Sequence, residues 1–136
     1  MNNEKLLRAA INAANNAYAP YSCYKVGAAL LTENNTIYTG CNIENVSFSA
    51  TNCAERTAFY KAVSEGERSF NKIAIAAIKD GKIDQNVSPC GICRQVMSEF
   101  CSDDFIILTA KSETEYNVYT LSELLPNMFS KNNLNY

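Results

Sequence analysis

The sequence contains no histidine and no tryptophan, and only three prolines and five glycines interrupt its 136 residues. Without histidine, a metal site has no imidazole ligand and must use thiolates and carboxylates alone. No apolar run approaches the roughly 20 residues that cross a membrane, and no apolar segment near Met1 predicts a secretory signal. These absences predict a protein of the cytoplasm without a membrane partner.

Basic residues are few and scattered. Twelve Lys and Arg stand against fourteen Asp and Glu, for a net charge of -2, and no two basic residues are adjacent. Proteins that bind nucleic acids draw much of their affinity from clustered Lys and Arg. The charge pattern therefore argues against a nucleic-acid polymer as the partner.

Length and composition predict one compact domain over residues 1–136, with a flexible Asn-rich tail at about 130–136. With 47% hydrophobic residues, the chain can bury a core without disulfides. In a reducing compartment its six cysteines are expected to be thiols or metal ligands. Cys23, Cys41 and Cys101 belong to no motif and are interpreted as buried or incidental thiols.

Alternating helix and strand patterns predict the fold class. Helices are expected at 4–18, 52–64, 88–100 (with Ser88 as N-cap and Pro89 at the first helical position) and 120–125, and strands at 26–32, 36–42, 72–79, 105–110 and 118–120. Strands that alternate with helices favour a sheet covered on its faces. We therefore expect an α/β protein, a three-layer α/β/α sandwich around a mixed sheet of about five strands.

Two cysteine groups, Cys53-Ala54-Glu55 and Pro89-Cys90-Gly91-Ile92-Cys93, each begin a predicted helix. Helix starts offer free N–H groups and partial positive charge, which lower the pKa of a thiol and favour metal binding. Three thiolate ligands leave one position of a tetrahedral zinc open, which is typical of a catalytic site. Glu55 follows Cys53 by two residues, where it is expected to act on a water without being a ligand.

The chain resembles the cytidine deaminases, in particular the small homotetrameric kind with three zinc-binding cysteines. Cys53-x-Glu55 and Pro89-Cys90-x-x-Cys93 match the signature of the zinc deaminases. The resemblance covers about residues 18–129 and also rests on 19–22 (APYS), 26–30 (VGAAL), 40–45 (GCNIEN), 52–58 (NCAERTA), 88–95 (SPCGICRQ) and 123–126 (ELLP).

This resemblance implies an activity and a set of roles. It implies hydrolysis of cytidine and 2'-deoxycytidine to uridine and 2'-deoxyuridine with release of ammonia, as in pyrimidine salvage, by one zinc per chain with Glu55 as catalytic acid and base. The resemblance further implies that Asn42 and Glu44 bind the ribose, that Tyr24 contacts the base, and that backbone groups of Ala54 and Ser88 recognise the pyrimidine edge. It implies a homotetramer in which Phe129 stacks on the base in the site of a neighbouring subunit. Arg56 is implied to donate hydrogen bonds to the ligand thiolates.

The chain departs from the family pattern near the expected pocket. Position 24 is Tyr where Phe is common, and position 48 is Phe where Tyr is common. Asn127 and Met128 replace the small residues usual before Phe129. Fine substrate preference and the contact between subunits are therefore the features that the resemblance determines least.

Three other functions stay open from the sequence. One is another deaminase, for a blasticidin-type antibiotic, a free base, a tRNA or a DNA, although Asn42-x-Glu44 favours a free nucleoside. A second is a non-catalytic zinc-binding module, in which Glu55 would only form a capping box with Asn52. The third is a redox protein that uses Cys90 and Cys93, but the late position of this motif argues against a thioredoxin-like fold.

Overall fold

The computed structural model describes residues 2–135. The helices are α1 (Asn3–Ala14), α2 (Ala54–Ser64), α3 (Gly91–Phe100) and α4 (Leu121–Leu124), with 3-10 turns at Phe48–Ala50 and Lys131–Leu134. The strands are β1 (Lys25–Thr32), β2 (Ile37–Cys41), β3 (Phe70–Lys79), β4 (Lys82–Ile83), β5 (Ile106–Ala110) and β6 (Tyr116–Thr120). No helix in this part of the chain is long and apolar enough to cross a membrane.

The strands form one mixed sheet in the order β2-β1-β3-β5-β6, with the short β4 paired to β3. The pair β3 and β5 is parallel, and the chain crosses between them through α3. All other pairs are antiparallel. The expected mixed sheet is confirmed, and β4 adds a sixth strand to the five that the sequence predicts.

The two faces of this sheet carry two separate cores. Alternate residues of β1 point to opposite faces, so that Ala29 and Leu31 pack with Leu6 and Leu7 of α1. Their neighbours on β1, together with Ile73 and Ile75 of β3, pack against Phe59 of α2 and Met97 of α3. A sheet between helices on both faces is the three-layer α/β/α sandwich that the sequence predicts.

Glycine on β2 lets α2 approach the sheet closely. A Cβ built on Gly40 would lie 2.3 Å from the carbonyl oxygen of Ala54 and 2.5 Å from the amide nitrogen of Ala58. Both atoms are backbone, so no side-chain rotation can relieve the clash. Glycine at position 40 therefore holds the first turn of α2, and with it Cys53, against the sheet.

Several predicted boundaries are wrong, and each has a local cause. Helix α1 ends at Ala14 and not at residue 18, because the amide of Tyr18 donates to the carbonyl of Asn42 instead of continuing the helix. Strand β6 begins at Tyr116, two residues before its predicted start, because its pairing with β5 extends to Ala110.

The tail beyond residue 130 forms one 3-10 turn, Lys131–Leu134, which Ser130 caps. Its predicted flexibility and the single-domain assignment stay predictions, and the last residue of the predicted tail lies outside the described residues.

Candidate functional site

Two helices begin with a cysteine, and their first turns meet. Cys53 is the N-cap of α2 and Cys90 is the N-cap of α3, where the sequence predicted Ser88. The hydroxyl of Ser88 accepts from Arg94, and the side-chain amide of Asn52 donates to the Thr57 hydroxyl, so neither side chain caps a helix. The capping box of Asn52 with Glu55 is thus absent.

Three sulfur atoms lie together at these helix starts. The Sγ of Cys90 is 3.6 Å from that of Cys53 and 3.4 Å from that of Cys93. Zinc with four tetrahedral ligands and Zn–S bonds of about 2.3 Å holds its sulfurs about 3.8 Å apart. Within residues 2–135, these three residues are the one group of His, Cys, Asp and Glu placed to share a metal ion. The cluster therefore fits a zinc ion with three protein ligands.

Two hydrogen-bond donors beside the Cys53 sulfur favour its thiolate form. A hydrogen bond from the Cys93 thiol and another from Arg56, whose Nη2 lies 3.3 Å from the Cys53 sulfur, lower the pKa of Cys53 to about 5. The Nε of Arg56 is buried and has no hydrogen-bond partner among the described residues. Among the described residues the guanidinium thus contacts the Cys53 sulfur and forms no salt bridge.

Glu55 lies buried in the first turn of α2. The residue is 4% exposed, and this burial raises the pKa of its carboxyl to about 7. Its carboxylate does not belong to the group that can share a metal ion. A carboxyl with a pKa near neutrality can both accept and return a proton, which is what acid–base catalysis requires.

One cavity of about 250 Å³ opens onto this centre. The predicted site residues that line it are Tyr24, Asn42, Glu44, Cys53, Ala54, Glu55, Ser88 and Cys90. They come from the chain before β1, the segment after β2, the start of α2 and the loop before α3. Residues that are far apart in the sequence thus converge on one hollow that ends at the sulfur cluster and a buried carboxyl.

Asn42 and Glu44 hold the wall of the cavity together. The side chain of Asn42 accepts from the amide of Val26 at 2.9 Å and donates to the carbonyl of Tyr24 at 2.8 Å. The carboxylate of Glu44 accepts from the amides of Tyr21 and Ser22 and from the Ser22 hydroxyl. These bonds lower the pKa of Glu44, the Ser22 hydroxyl contributing most.

Phe129 is not part of this cavity. It is 62% exposed and lies beside α3, where its carbonyl accepts from Gln95. Phe48 is 76% exposed and packs edge-on against Tyr21 at the rim of an adjoining hollow that shares Ser22, Glu44 and Thr51 with the cavity.

Two further residues near the cavity, Arg94 and Asp84, make contacts that the sequence did not predict. Arg94 donates to the carbonyl of Pro89 at 2.8 Å and to that of Leu124 at 2.5 Å, so it ties the loop before α3 to α4. Its place beside Cys93 was a signal that could have identified it. Asp84 accepts from the Tyr24 hydroxyl, and no motif marks it.

Comparison with known proteins agrees with a zinc-binding site at these cysteines. The model for the cytidine and deoxycytidylate deaminase zinc-binding region matches residues 1–109. A cytidine deaminase of Sporosarcina psychrophila is 50% identical over 100% of this chain and 97% of its own. The crystal structure of a cytidine deaminase from Burkholderia pseudomallei superposes with a TM-score of 0.84 at 39% identity, covering 95% of this chain and all of its own.

A more distant relative bears on one alternative. A blasticidin-S deaminase of Bacillus cereus is 32% identical over 80% of this chain and 79% of its own. The cytidine deaminase match is thus both longer and stronger. The recognition made from the sequence is confirmed: the protein belongs to the family of cytidine and deoxycytidylate deaminases that carry this zinc-binding region.

Proposed function

We propose that the protein hydrolyses cytidine and 2'-deoxycytidine to uridine and 2'-deoxyuridine with release of ammonia. The observation that carries this is the buried Glu55 beside three clustered thiols at the end of a cavity large enough to admit a small molecule. Family membership and the full-length match to a cytidine deaminase support the same reaction. They also favour an enzyme over a redox protein or a non-catalytic zinc module.

Cys53, Cys90 and Cys93 hold one zinc ion per chain. When bound, zinc supplies a Lewis acid that makes water a nucleophile near neutral pH. Three thiolates would place excess negative charge around the zinc ion. The positively charged guanidinium of Arg56 and the partial positive charges at the two helix starts would offset this charge. By offsetting the thiolate charge, these groups would let the bound metal act as a stronger Lewis acid.

Glu55 moves the protons. Its carboxylate takes a proton from the attacking water and delivers it to N3 of the cytosine ring, which makes C4 more electrophilic. It then takes the proton of the new C4 hydroxyl and passes it to the amino group. The C4–N bond breaks, ammonia departs, and C4 becomes the carbonyl carbon of uridine. The raised pKa that burial imposes on Glu55 favours both directions of transfer.

Residues of the cavity wall bind the nucleoside. Asn42 and Glu44 take the ribose hydroxyls, since each keeps hydrogen-bonding capacity beyond its contacts within the chain. Backbone groups of Ala54 and Ser88 read the pyrimidine edge, and the ring of Tyr24 contacts the base.

The wider assignments complete the proposal. One domain, residues 1–136, works in pyrimidine salvage in the cytoplasm as a homotetramer. Phe129, exposed and outside its own chain's cavity, closes the site of a neighbouring subunit by stacking on the base. A blasticidin-type antibiotic is the alternative substrate, which assay of both compounds distinguishes.

Replacement of Glu55 by Gln tests the proton transfer. The variant keeps its size and its zinc but cannot accept a proton, so turnover of cytidine should fall by about 100-fold or more. Turnover follows from ultraviolet absorbance, and zinc per chain from elemental analysis of the same sample. Glu65→Gln, an exposed change at the other end of α2, should match the unaltered protein. Near-normal turnover by Glu55→Gln would remove Glu55 from the chemistry.

Replacement of Arg56 by Ala tests the charge balance at the sulfurs. Without the guanidinium, the thiolates lose a hydrogen-bond donor, so zinc should leave to a chelator faster and turnover should fall about 10-fold or more. Arg8→Ala removes an exposed positive charge from α1 and should change neither quantity. If Arg56→Ala keeps both values, its guanidinium has no role at the metal.

Replacement of Phe129 by Ala tests the contact between subunits. Loss of stacking should raise the KM for cytidine about fivefold or more. Co-expression with Glu55→Gln chains should then restore low-KM sites in mixed assemblies, because an intact Phe129 meets an intact Glu55 across an interface. Val118→Ala, an exposed change on β6, serves as the control. An unchanged KM, or a particle mass of one chain, would contradict this arrangement.

A further inference from the structure

The hydroxyl of Tyr24 bonds to a residue that does not line the substrate cavity. Its oxygen lies 2.6 Å from Oδ2 of Asp84, 60 residues further along the chain. Tyr24 is one of the residues that line the cavity, whereas Asp84 is not. A residue of the cavity wall is therefore held through its polar end by a group that does not belong to the wall.

Asp84 is itself held firmly. It directly follows β4, and its amide donates to the carbonyl of Ala77 on β3 at 2.8 Å. Its Oδ1 accepts from the amide of Asn86 at 3.0 Å, which leaves Oδ2 for Tyr24. The short strand β4 thus fixes the carboxylate at a defined point beside the sheet.

The backbone of Tyr24 is equally constrained. Its amide donates to the Ser22 hydroxyl at 3.0 Å, and its carbonyl accepts from the side chain of Asn42 at 2.8 Å. Ser22 in turn donates to Glu44. The backbone is thus fixed by the two residues assigned to the ribose. The bond to Asp84, together with packing of Tyr24 against the core, restrains the orientation of the ring.

Charge strengthens this contact. The hydrogen bond from Tyr24 lowers the pKa of Asp84, so the acceptor is a carboxylate at neutral pH. Burial, together with Asp84, raises the pKa of the Tyr24 hydroxyl, so the donor keeps its proton. Hydrogen bonds to an ionised acceptor are about twice as strong as neutral ones.

We propose that Asp84 is a positioning residue for the deaminase reaction, which holds the Tyr24 ring ready for the base by accepting the hydrogen bond of its hydroxyl. This rests on the proposed function, because it names how one wall of that same site is set. Asp84 touches neither the three sulfurs nor Glu55 within the described residues, so it acts on nucleoside binding rather than on the chemical step.

Asp84→Ala should raise the KM for cytidine about two- to twelvefold, because ordering a freed side chain costs about 0.5–1.5 kcal/mol of binding. Its kcat should stay within about twofold, and its zinc content should not change. Asp84→Asn keeps a hydrogen-bonding group toward both Tyr24 and Asn86 and should restore most of the loss. Glu33→Ala removes one exposed carboxylate at the other end of β1 and should leave the KM unchanged.

The double variant isolates the bond. Tyr24→Phe removes the hydroxyl but keeps the ring, and should raise the KM as Asp84→Ala does. Combining both changes should raise the KM no further, because the two single changes remove the same hydrogen bond. A purely structural role would instead lower kcat, zinc content and thermal stability together.

The outcomes separate this proposal from the function on which it rests. If the unaltered protein does not turn over cytidine, the proposed function fails and this inference falls with it. Two results with an active unaltered protein would overturn only the role of Asp84. One is an unchanged KM in Asp84→Ala, and the other is a double variant whose rise in KM is the product of the rises in Tyr24→Phe and Asp84→Ala. If Asp84→Ala does not fold, Tyr24→Phe and Asp84→Asn decide the question through the same KM comparison.

Discussion

Two helix starts that share a cluster of thiols are the constraint on which the site depends. The sulfur of Cys90 accepts from the Cys93 amide of its own helix at 3.5 Å, whereas Cys53 caps α2 without a side-chain hydrogen bond to that helix. Bringing two such starts together concentrates positive helix ends on three sulfurs. The same arrangement places Glu55, two residues into α2, beside the sulfurs and away from water.

The rest of the fold serves to keep these two helices in place. Gly40 lets α2 lie directly on β2, and the parallel pair of β3 with β5 sets the direction of α3. Arg94 fastens the loop before α3 to α4 through carbonyl oxygens on both sides. On the opposite face, α1 covers the sheet and contributes no residue that lines the cavity.

Features with a local signal could be predicted from the sequence. Alternating patterns gave the layers, and the spacing of Cys53, Glu55, Cys90 and Cys93 predicted both the cluster and the separate carboxylate. The cap of α3 was missed because Ser88, a good cap by type, accepts instead from Arg94. The alternative capping box of Asn52 with Glu55 does not form, since the Asn52 side chain donates to Thr57. The contact of Tyr24 with Asp84 joins strands that only the folded sheet brings together, so no period or spacing marks it. Phe129 lies exposed and outside the cavity of its own chain, so the contact proposed for it with a neighbouring subunit cannot be read from a single chain.

Stepwise return of zinc to the stripped protein tests the central claim most directly. Cytidine turnover, followed by ultraviolet absorbance, is plotted against zinc bound per chain in the same samples. We expect turnover to rise in proportion to bound zinc and to stop rising at one ion per chain. Turnover in the zinc-free protein, or none with one zinc bound, would contradict a cytidine deaminase built on these three sulfurs.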